Sequence, residues 1–490
     1  MGSDEKQSHI DKRSVALGKN ALIIALGTVL PKLVTLITLP ILTGCLSKSD
    51  FGVYDLVITL VAFFLPAASL QIQTAAFRFL VDCRKDKNDE RTKEIVSSTF
   101  AFALVASLVA LVIFAVLFQG DALLKVGICL YFLFDLLANV AKQCARGFGR
   151  NKLYSASAAL GCFVQLGLTV LFLLVLDLGL LGSVYLLAFT ELAACAFLFC
   201  TLSLVRYVSP KSVSRATLKE LISYSWPMVP NSLAMWAMRF SNRLVITFFL
   251  GVAANAAFAV AYKIPQMLNL AQSAFTLAWQ ENASLAVDDK DSKKYYSRTF
   301  SGVIGLTTAC ASVLIACVPL LFIILVRGSY DEAYQQIAIL VLALFFYCLA
   351  AYLGGIYVAR KDTKSVGLTT VVALAFNLAI DVALVPVIGL WAASLAMLAS
   401  FVLLVLLRMV QLVRRGWIDV TPWQMVAASA LLCVQVALSL PQLLCCDIAN
   451  GVIALVAFVL LARFFLKQVK KWRGLFNVLH SNLLLPPMVR

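Results

Sequence analysis

Four basic residues, Lys32, Arg239, Arg243 and Lys263, lie inside long apolar stretches of the sequence. A Lys or Arg at the centre of a membrane-spanning helix costs roughly 2.5 to 3.5 kcal/mol, so such residues usually face a wet cavity or an anionic ligand. Arg239 and Arg243 are one helical turn apart and would repel each other without an anion nearby. The pattern predicts a cavity for a negatively charged group.

The elements that must position these cations are hydrophobic helices. Hydrophobic residues make up 62% of the chain and charged residues 13%, and the mean hydropathy is +0.92. These values exclude a soluble globular protein and predict an all-α, polytopic membrane protein. Since a span needs about 20 residues, we predict about fourteen transmembrane helices. They cover 18–44, 51–78, 95–118, 121–145, 153–176, 180–205, 226–250, 253–279, 299–326, 333–358, 366–388, 390–412, 424–440 and 448–466.

Basic residues are concentrated at the two termini and in alternate connections. Most of the 41 Lys and Arg residues lie there, Lys142, Arg360, Arg408 and Arg415 among them, whereas the other connections hold Lys48, Lys125 and Arg327. Cytoplasmic loops accumulate Lys and Arg, so both termini are predicted to be cytoplasmic. The net charge of +16 is then a topological signal and gives no reason to expect a nucleic-acid partner.

The chain also repeats a local pattern. The stretch from Leu39 to Tyr54 is similar to the stretch from Phe248 to Phe258, because each is a helix end near a glycine, a tight turn and a new helix. We therefore predict two six-helix lobes that enclose a cavity, a common design for alternating access. The predicted segments are a cytoplasmic N-terminus 1–17, an N-lobe 18–205, a cytoplasmic linker 206–225, a C-lobe 226–412, a helix pair 424–466 and a cytoplasmic tail 467–490.

Three neighbouring motifs carry a resemblance to a known family. They are Arg239-Phe240-Ser241-Asn242-Arg243-Leu244-Val245-Ile246, then Phe248-Phe249-Leu250-Gly251, then Ala261-Tyr262-Lys263-Ile264. They resemble the oligosaccharide flippases of bacterial polysaccharide biosynthesis, in the multidrug/oligosaccharidyl-lipid/polysaccharide exporter superfamily. The chain departs from that pattern with Asn242 in place of an acid and Ala256-Ala257-Phe258 in place of Gly-Ile-Tyr, whereas Phe51-Gly52-Val53-Tyr54 keeps the first-half version.

The resemblance implies a flippase, not an enzyme, in the bacterial cytoplasmic membrane. It would move an undecaprenyl-pyrophosphate-linked oligosaccharide from the inner to the outer leaflet for surface polysaccharide synthesis. No cofactor is expected, and Na⁺ or proton coupling stays open. The expected partners are the lipid-linked substrate, membrane lipids, and the polymerase and glycosyltransferases of the same pathway. A lipid II flippase or a cation-coupled multidrug exporter of the same superfamily is an alternative, and a membrane glycosyltransferase or polymerase is a more distant one.

Five basic residues are the candidates for binding the anionic substrate: Lys32, Arg239, Arg243, Lys263 and Arg78. Guanidinium groups match phosphate oxygens in geometry. The two arginines could instead pair with acids inside the membrane such as Asp135, Glu191 or Asp381. Lys263 could extend towards the lipid head groups. Arg78 lies near the predicted cytoplasmic end of its helix, so it is as much a topological signal as a site residue.

Acidic residues within the predicted spans are candidates for ion pairing or ion coupling: Asp135, Glu191, Asp381 and Asp55. Carboxylates at such depth are paired, protonated or bound to a cation. Asp55 is expected at the solvated outer edge of its helix. Trp236 and Trp279 could stack on sugars or pack in the core, and Asn255, Asn282, Asn377 and Gln165 are left unassigned.

Overall fold

Helices form the regular structure throughout the residues that the computed structural model describes, which are 30–31, 33–86, 88–117, 121–269, 272, 275–276, 279, 283, 286–287, 291–360 and 362–459. No β-strand occurs in this part of the chain. The helices are α1 Leu33–Cys45, α2 Lys48–Ala68, α3 Ile72–Asp86, α4 Asp89–Leu117, α5 Ala122–Gly147, α6 Asn151–Thr169, α7 Gly179–Thr201, α8 Arg215–Ser225, α9 Val229–Leu250, α10 Val252–Lys263, α11 Ser292–Leu325, α12 Asp331–Ala359, α13 Thr363–Ile388, α14 Leu390–Arg414, α15 Pro422–Ser439 and α16 Leu444–Val459.

Ten helices in the described residues are long and apolar enough to cross a membrane, and three shorter apolar helical segments accompany them. The prediction of an all-α, polytopic membrane protein is therefore confirmed. The predicted first span, 18–44, and last span, 448–466, lie partly outside the described residues. Segments 1–17 and 467–490 lie wholly outside them.

The second predicted span, 51–78, is not one helix. α2 ends at Ala68 and α3 begins at Ile72, because Leu70 and Gln71 adopt left-handed backbone conformations with φ of 46° and 57°. Such residues cannot continue a right-handed helix. The Ser69 hydroxyl accepts a hydrogen bond from the Gln71 N–H at 3.2 Å and stabilises the bend. Hydropathy alone does not reveal this break, since both flanks are apolar.

The predicted span 253–279 is interrupted as well. α10 ends at Lys263 and a turn covers 264–266. Pro265 explains the break, because proline lacks a backbone donor and disfavours helical geometry in the residue before it. The remainder of this predicted span is described only in part.

A π-helical turn of six residues, Val170–Val175, continues α6. The Leu176 N–H donates to the Leu171 carbonyl at 2.9 Å, five residues back rather than four. The turn lies in the predicted span 153–176, which the helix otherwise follows closely.

The predicted linker 206–225 contains a docked helix, α8. The Ser214 hydroxyl accepts from the Thr217 N–H at 3.3 Å, which is a typical helix N-cap. Arg91 pairs with Glu220 and donates to the Thr217 hydroxyl at 2.7 Å. α8 therefore packs against α3 and α4.

The described residues form two compact units. The first contains the residues up to Val260 together with Ile323–Tyr330 and Leu378–Ala393. Its core is built on α5, whose buried face packs against α3, α4 and α7. In the same unit α2 packs against α9, so segments that the sequence assigns to different lobes touch. The predicted division into lobes remains a prediction.

The second unit contains Ala261–Phe322, Asp331–Asn377 and the residues from Ser394 onwards. α12 is its central helix and is buried along most of its length. A helix that is apolar on all sides belongs in the interior of a bundle. The Tyr352 hydroxyl on α12 donates to the Tyr296 carbonyl on α11 at 2.7 Å. Hydrogen bonds of this kind tie the central helix to its neighbours.

Candidate functional site

Arg243 on α9 forms a buried ion pair with Asp55 on α2, and its guanidinium also donates to the Thr59 hydroxyl at 2.7 Å. The side chains are only 11% and 3% exposed. Asp55 and Thr59 are one turn apart on α2, so both face α9. The expectation that Asp55 lies at a solvated edge is therefore wrong. The acid that pairs with Arg243 is Asp55, which was not among the three partners considered.

The backbones of α2 and α10 approach each other closely beside this pair. A Cβ atom on Gly52 would lie 2.2 Å from the Val252 carbonyl oxygen, so only glycine fits there. The neighbouring Gly251 has φ of 87° and ψ of 173°, a conformation essentially confined to glycine. The glycines of the repeated pattern thus allow the close contact between the two helix starts.

Three further cations of the predicted set are Lys32, Arg239 and Lys263. Lys32 lies outside the described residues, and the side chain of Arg239 does too, although its backbone is part of α9. Lys263 is the last residue of α10 and is partly buried. A role in the cavity stays a prediction for all three.

Arg78 on α3 forms an ion pair with Asp82 at 2.5 Å, one helical turn away. Both side chains are about half exposed, at 48% and 45%. Exposed pairs of this kind contribute little to stability because water and salt screen them, so the geometry alone assigns Arg78 no special role.

Lys142 on α5 pairs with Glu191 on α7, with Nζ and Oε2 2.8 Å apart. Asp135 lies two turns before Lys142 on the same helix and accepts from the Asn139 amide at 2.7 Å. Asp135, Asn139 and Lys142 therefore share one stripe of α5. Lys142 was counted as a cation of an inner loop, but the structure places it in a partly buried ion pair. Its spacing of seven residues from Asp135 is the signal that sequence analysis missed.

Asp381 on α13 is fully buried, and within the described residues neither carboxylate oxygen has a hydrogen-bond partner. A bare carboxylate in such surroundings is strongly disfavoured. The group must be protonated or take a cation in some state of the protein. A Na⁺ or proton site at Asp381 therefore stays a prediction.

Asn242 takes the place of the acid in the family motif. It is fully buried, and its amide donates to the Ala393 carbonyl at 3.5 Å. An uncharged amide tolerates burial with weak partners better than a carboxylate does. The departure from the motif removes a charge directly beside Arg243.

Arg408 on α14 is a buried arginine that sequence analysis assigned to an inner loop. It is 6% exposed, and its guanidinium donates to the Ala350 carbonyl at 2.6 Å and to the hydroxyls of Thr370 and Thr369 at 3.0 and 3.3 Å. None of the described carboxylates pairs with it. A Cβ atom on Gly354 would lie 2.8 Å from its Nη1, so the glycine makes room for the guanidinium.

Trp279 belongs to the core of the second unit. It is 3% exposed, its indole N–H donates to the Tyr352 carbonyl at 3.0 Å, and its ring stacks on Tyr352 with centroids 4.3 Å apart. Of the two roles considered for Trp279, this geometry supports packing rather than sugar binding.

Arg360 and Arg415 form an arginine cluster. Arg360 lies in the connection between α12 and α13, and Arg415 directly follows α14. Arg415 pairs with Asp362, and both Arg415 and Arg360 lie 5.0 Å from the centroid of the Trp417 ring. Hydrogen bonds from Ser365 and Arg415 lower the pKa of Asp362. Charge-assisted stacking of this kind stabilises the connections between the helices.

No group of three or more His, Cys, Asp or Glu side chains in the described part of the chain is arranged to hold a metal ion. Among the acids of the predicted set, Asp381 is the one whose carboxylate oxygens have no hydrogen-bond partner in the described residues.

The model of the family described as polysaccharide biosynthesis protein matches residues 17–279, which is more than half of the chain. No curated protein matches the chain in sequence.

Solved structures share the fold at low sequence identity. The chain is similar to the lipid II flippase MurJ in an inward closed conformation, with 12% identity over 91% of this chain and 99% of that one and a TM-score of 0.70. It is also similar to an inward-facing multidrug resistance MATE family transporter of the MOP superfamily, with 16% identity over 83% and 95% and a TM-score of 0.61. A MOP superfamily transporter from Pyrococcus furiosus, whose binding pocket is described as reversed in polarity, matches with 14% identity over 85% and 96% and a TM-score of 0.57.

Proposed function

Because the chain belongs to the polysaccharide biosynthesis protein family, we propose that it is a flippase for an undecaprenyl-pyrophosphate-linked oligosaccharide. It moves this unit from the inner to the outer leaflet of a bacterial cytoplasmic membrane, for surface polysaccharide synthesis. The observation that carries the proposal is Arg243, a buried guanidinium whose only charged contact in the described residues is one carboxylate.

A guanidinium in this position suits a phosphate. It presents several donors in a fixed plane, which match phosphate oxygens as well as carboxylate oxygens. Arg239 lies one turn before Arg243 on α9, and with Lys32 and Lys263 it would supply further positive charge for a pyrophosphate. Arg78 would act at the inner mouth of the cavity.

Transport in this direction does not require a coupled ion. Moving one negative charge outwards across an inside-negative potential of about 100 mV gains roughly 2.3 kcal/mol. A pyrophosphate carries more than one charge, so the potential alone can drive it. Proton or Na⁺ coupling through Asp381, Asp135 or Glu191 is the alternative source of energy. The positions of the basic loops support both termini on the cytoplasmic side.

A lipid II flippase would use the same pyrophosphate chemistry, and the structural similarity to MurJ covers most of this chain. At 12% identity that similarity concerns the fold alone, so the substrate must be tested directly. A cation-coupled multidrug exporter is the other candidate, and the observation that favours it is Asp381, whose carboxylate has no hydrogen-bond partner among the described residues.

The test is deletion of the gene in its host, with measurement of surface polysaccharide and of lipid-linked oligosaccharide in the inner leaflet. Loss of polymer with accumulation of intact lipid-linked units is the expected result. Complementation with Arg243→Ala should fail, and Lys219→Ala, a charge removed from the exposed side of α8, should restore export. Unchanged glycans with altered drug sensitivity would assign the protein to drug export, and a peptidoglycan defect would assign it to lipid II.

A further inference from the structure

Three turns meet at one end of the first unit, and we call this arrangement the three-turn closure. It comprises the α1–α2 turn, the α9–α10 turn at Gly251, and residues 326–330 after α11. The Arg327 N–H donates to the Thr43 hydroxyl at 2.9 Å, and the Phe51 and Tyr330 rings lie edge to face at 6.3 Å. With the contact between Gly52 and Val252, this end of the unit is tightly packed.

The Arg243 and Asp55 pair lies directly inward of this closure. Asp55 follows Gly52 by one helical turn on α2, and Arg243 precedes Gly251 by two turns on α9. α2 cannot separate from α9 at this level while the two charges remain together. Parting them without a substitute leaves two unpaired charges in a low-dielectric environment, which is strongly unfavourable.

We propose that Asp55 is a placeholder anion, which occupies Arg243 and keeps the three-turn closure shut until an anionic lipid head group takes its place. The inference rests on the proposed function and adds the residue that couples head-group binding to opening. The ligand class is a polyprenyl lipid whose head group carries phosphate. An uncharged polyprenyl lipid offers no replacement for the carboxylate.

The exchange is chemically balanced in charge. Before it, Arg243 is neutralised by Asp55 and held by the Thr59 hydroxyl. After it, Arg243 is neutralised by a phosphate, and the Asp55 carboxylate faces the water that enters as α2 and α9 part. Asp55 thus acts through Arg243 as a positioning residue. A ligand can shift the closure only by the difference in its affinity for the two states, and a phosphate has that difference because the closed state already holds a carboxylate.

The native thiol of Cys45 reports on the closure. Cys45 is the last residue of α1, partly buried and free, and it adjoins Gly44, where an added Cβ atom would lie 3.5 Å from the Arg327 Cβ. The full-length protein in lipid nanodiscs would be alkylated with a maleimide, and the rate at each cysteine measured by peptide mass spectrometry. Cys200, an exposed free cysteine at the end of α7, is the internal control. The probes are undecaprenyl pyrophosphate and, as the uncharged match, undecaprenol.

Without lipid, Asp55→Asn should raise the Cys45 alkylation rate at least about fivefold over the rate in the unchanged protein. A factor of about five is the lower end of the range typical of coupling between two sites. The double exchange Asp55→Arg with Arg243→Asp should return it towards the original rate. Undecaprenyl pyrophosphate should raise the rate in the unchanged protein, undecaprenol should not, and Asp55→Asn should show no further response. If Asp55→Asn fails to fold, Thr59→Val, which removes one hydrogen bond, should give a smaller rise.

Equal lipid-free rates in folded Asp55→Asn and unchanged protein would overturn the proposal. So would a response to undecaprenol equal to that of undecaprenyl pyrophosphate. The lipid-free comparison does not depend on which substrate is carried, whereas the gene deletion does. A failure of the closure mechanism is therefore distinguishable from a failure of the proposed function.

Discussion

Arg243 in the first unit and Arg408 in the second are both buried in hydrophobic helices, but their charges are stabilised differently. Arg243 has one carboxylate and one hydroxyl, whereas Arg408 has a carbonyl and two hydroxyls and no carboxylate among the described residues. A carboxylate can be exchanged for another anion. Neutral oxygens that are fixed by their own helices cannot be exchanged in this way. The comparison teaches that burial of a cation in a membrane protein does not by itself indicate a substrate site.

The largest effect should follow from Arg408→Met. Three hydrogen bonds from a charged donor are lost and their neutral acceptors stay buried, so we expect a loss of about 3 to 5 kcal/mol in stability. The measurement is the amount of folded protein and its thermal unfolding in detergent, together with transport per folded molecule. Normal folding with abolished transport would place Arg408 in the transport pathway. Arg243 and Arg408 would then not differ in function.

The second effect concerns the ion pair itself. Asp55→Ala or Arg243→Ala alone leaves a buried charge unpaired and should cost about 3 kcal/mol or more. The double variant should be clearly more stable than the sum of the two single losses predicts, because no charge is left alone. Thermal unfolding of the four proteins gives the coupling energy. Strict additivity would show that the two groups do not interact in the membrane.

The third effect compares two glycines. Gly52→Ala should destabilise by about 2 to 3 kcal/mol, because the new Cβ meets the Val252 carbonyl, which is backbone and cannot yield easily. Gly354→Ala meets the Arg408 guanidinium, which can shift, and should cost nearer 1 kcal/mol. Gly44→Ala is the matched control, since its nearest neighbour would be at an ordinary 3.5 Å. A larger loss at Gly354 than at Gly52 would mean that the Arg408 socket is the more rigid of the two.

The smallest effect concerns the partly exposed ion pair between Arg415 and Asp362. The pKa of Asp362 is lowered in the folded protein, so its contribution to stability is present above the unfolded-state pKa of about 3.9 and is lost as the pH falls from there through the lower folded value. Because the pair with Arg415 is partly exposed, the contribution should be about 0.5 kcal/mol. The free energy of unfolding, measured between pH 3 and pH 6, should fall more steeply with decreasing pH in the unchanged protein than in Asp362→Asn. Identical slopes would show that the pair contributes nothing to stability.

The helical, membrane-spanning nature of the protein could be predicted from the sequence because hydropathy over a span-length window reports it directly. The break between α2 and α3 could not, because Leu70 and Gln71 are ordinary helix formers whose left-handed conformation depends on packing. Arg408 was misplaced for a related reason. Arg408 lies close to the end of its predicted span, which suggests a loop cation. Only the tertiary fold brings Ala350, Thr369 and Thr370 around it.

The partners of the predicted site residues were also beyond the sequence. Arg243 lies inside a helix, as its apolar neighbours in the sequence predict, but its pairing with Asp55 joins residues far apart in the chain, and no spacing rule links them. Lys142 and Asp135 are a partial exception, since both lie on one stripe of α5. A search for helical spacing between opposite charges would have detected that stripe.

The π-helical turn at Val170–Val175 has a consequence for how relatives of this chain should be aligned. A π turn holds one residue more than the α-helical turn it replaces, so it can accommodate one additional residue within a span. Homologues that lack this residue should have a continuous α-helix there, and the single gap belongs at 170–175 rather than in the adjoining loop. A gap placed in the loop would rotate the aligned face of α6 by about 100° per residue and assign lipid-facing positions to the core.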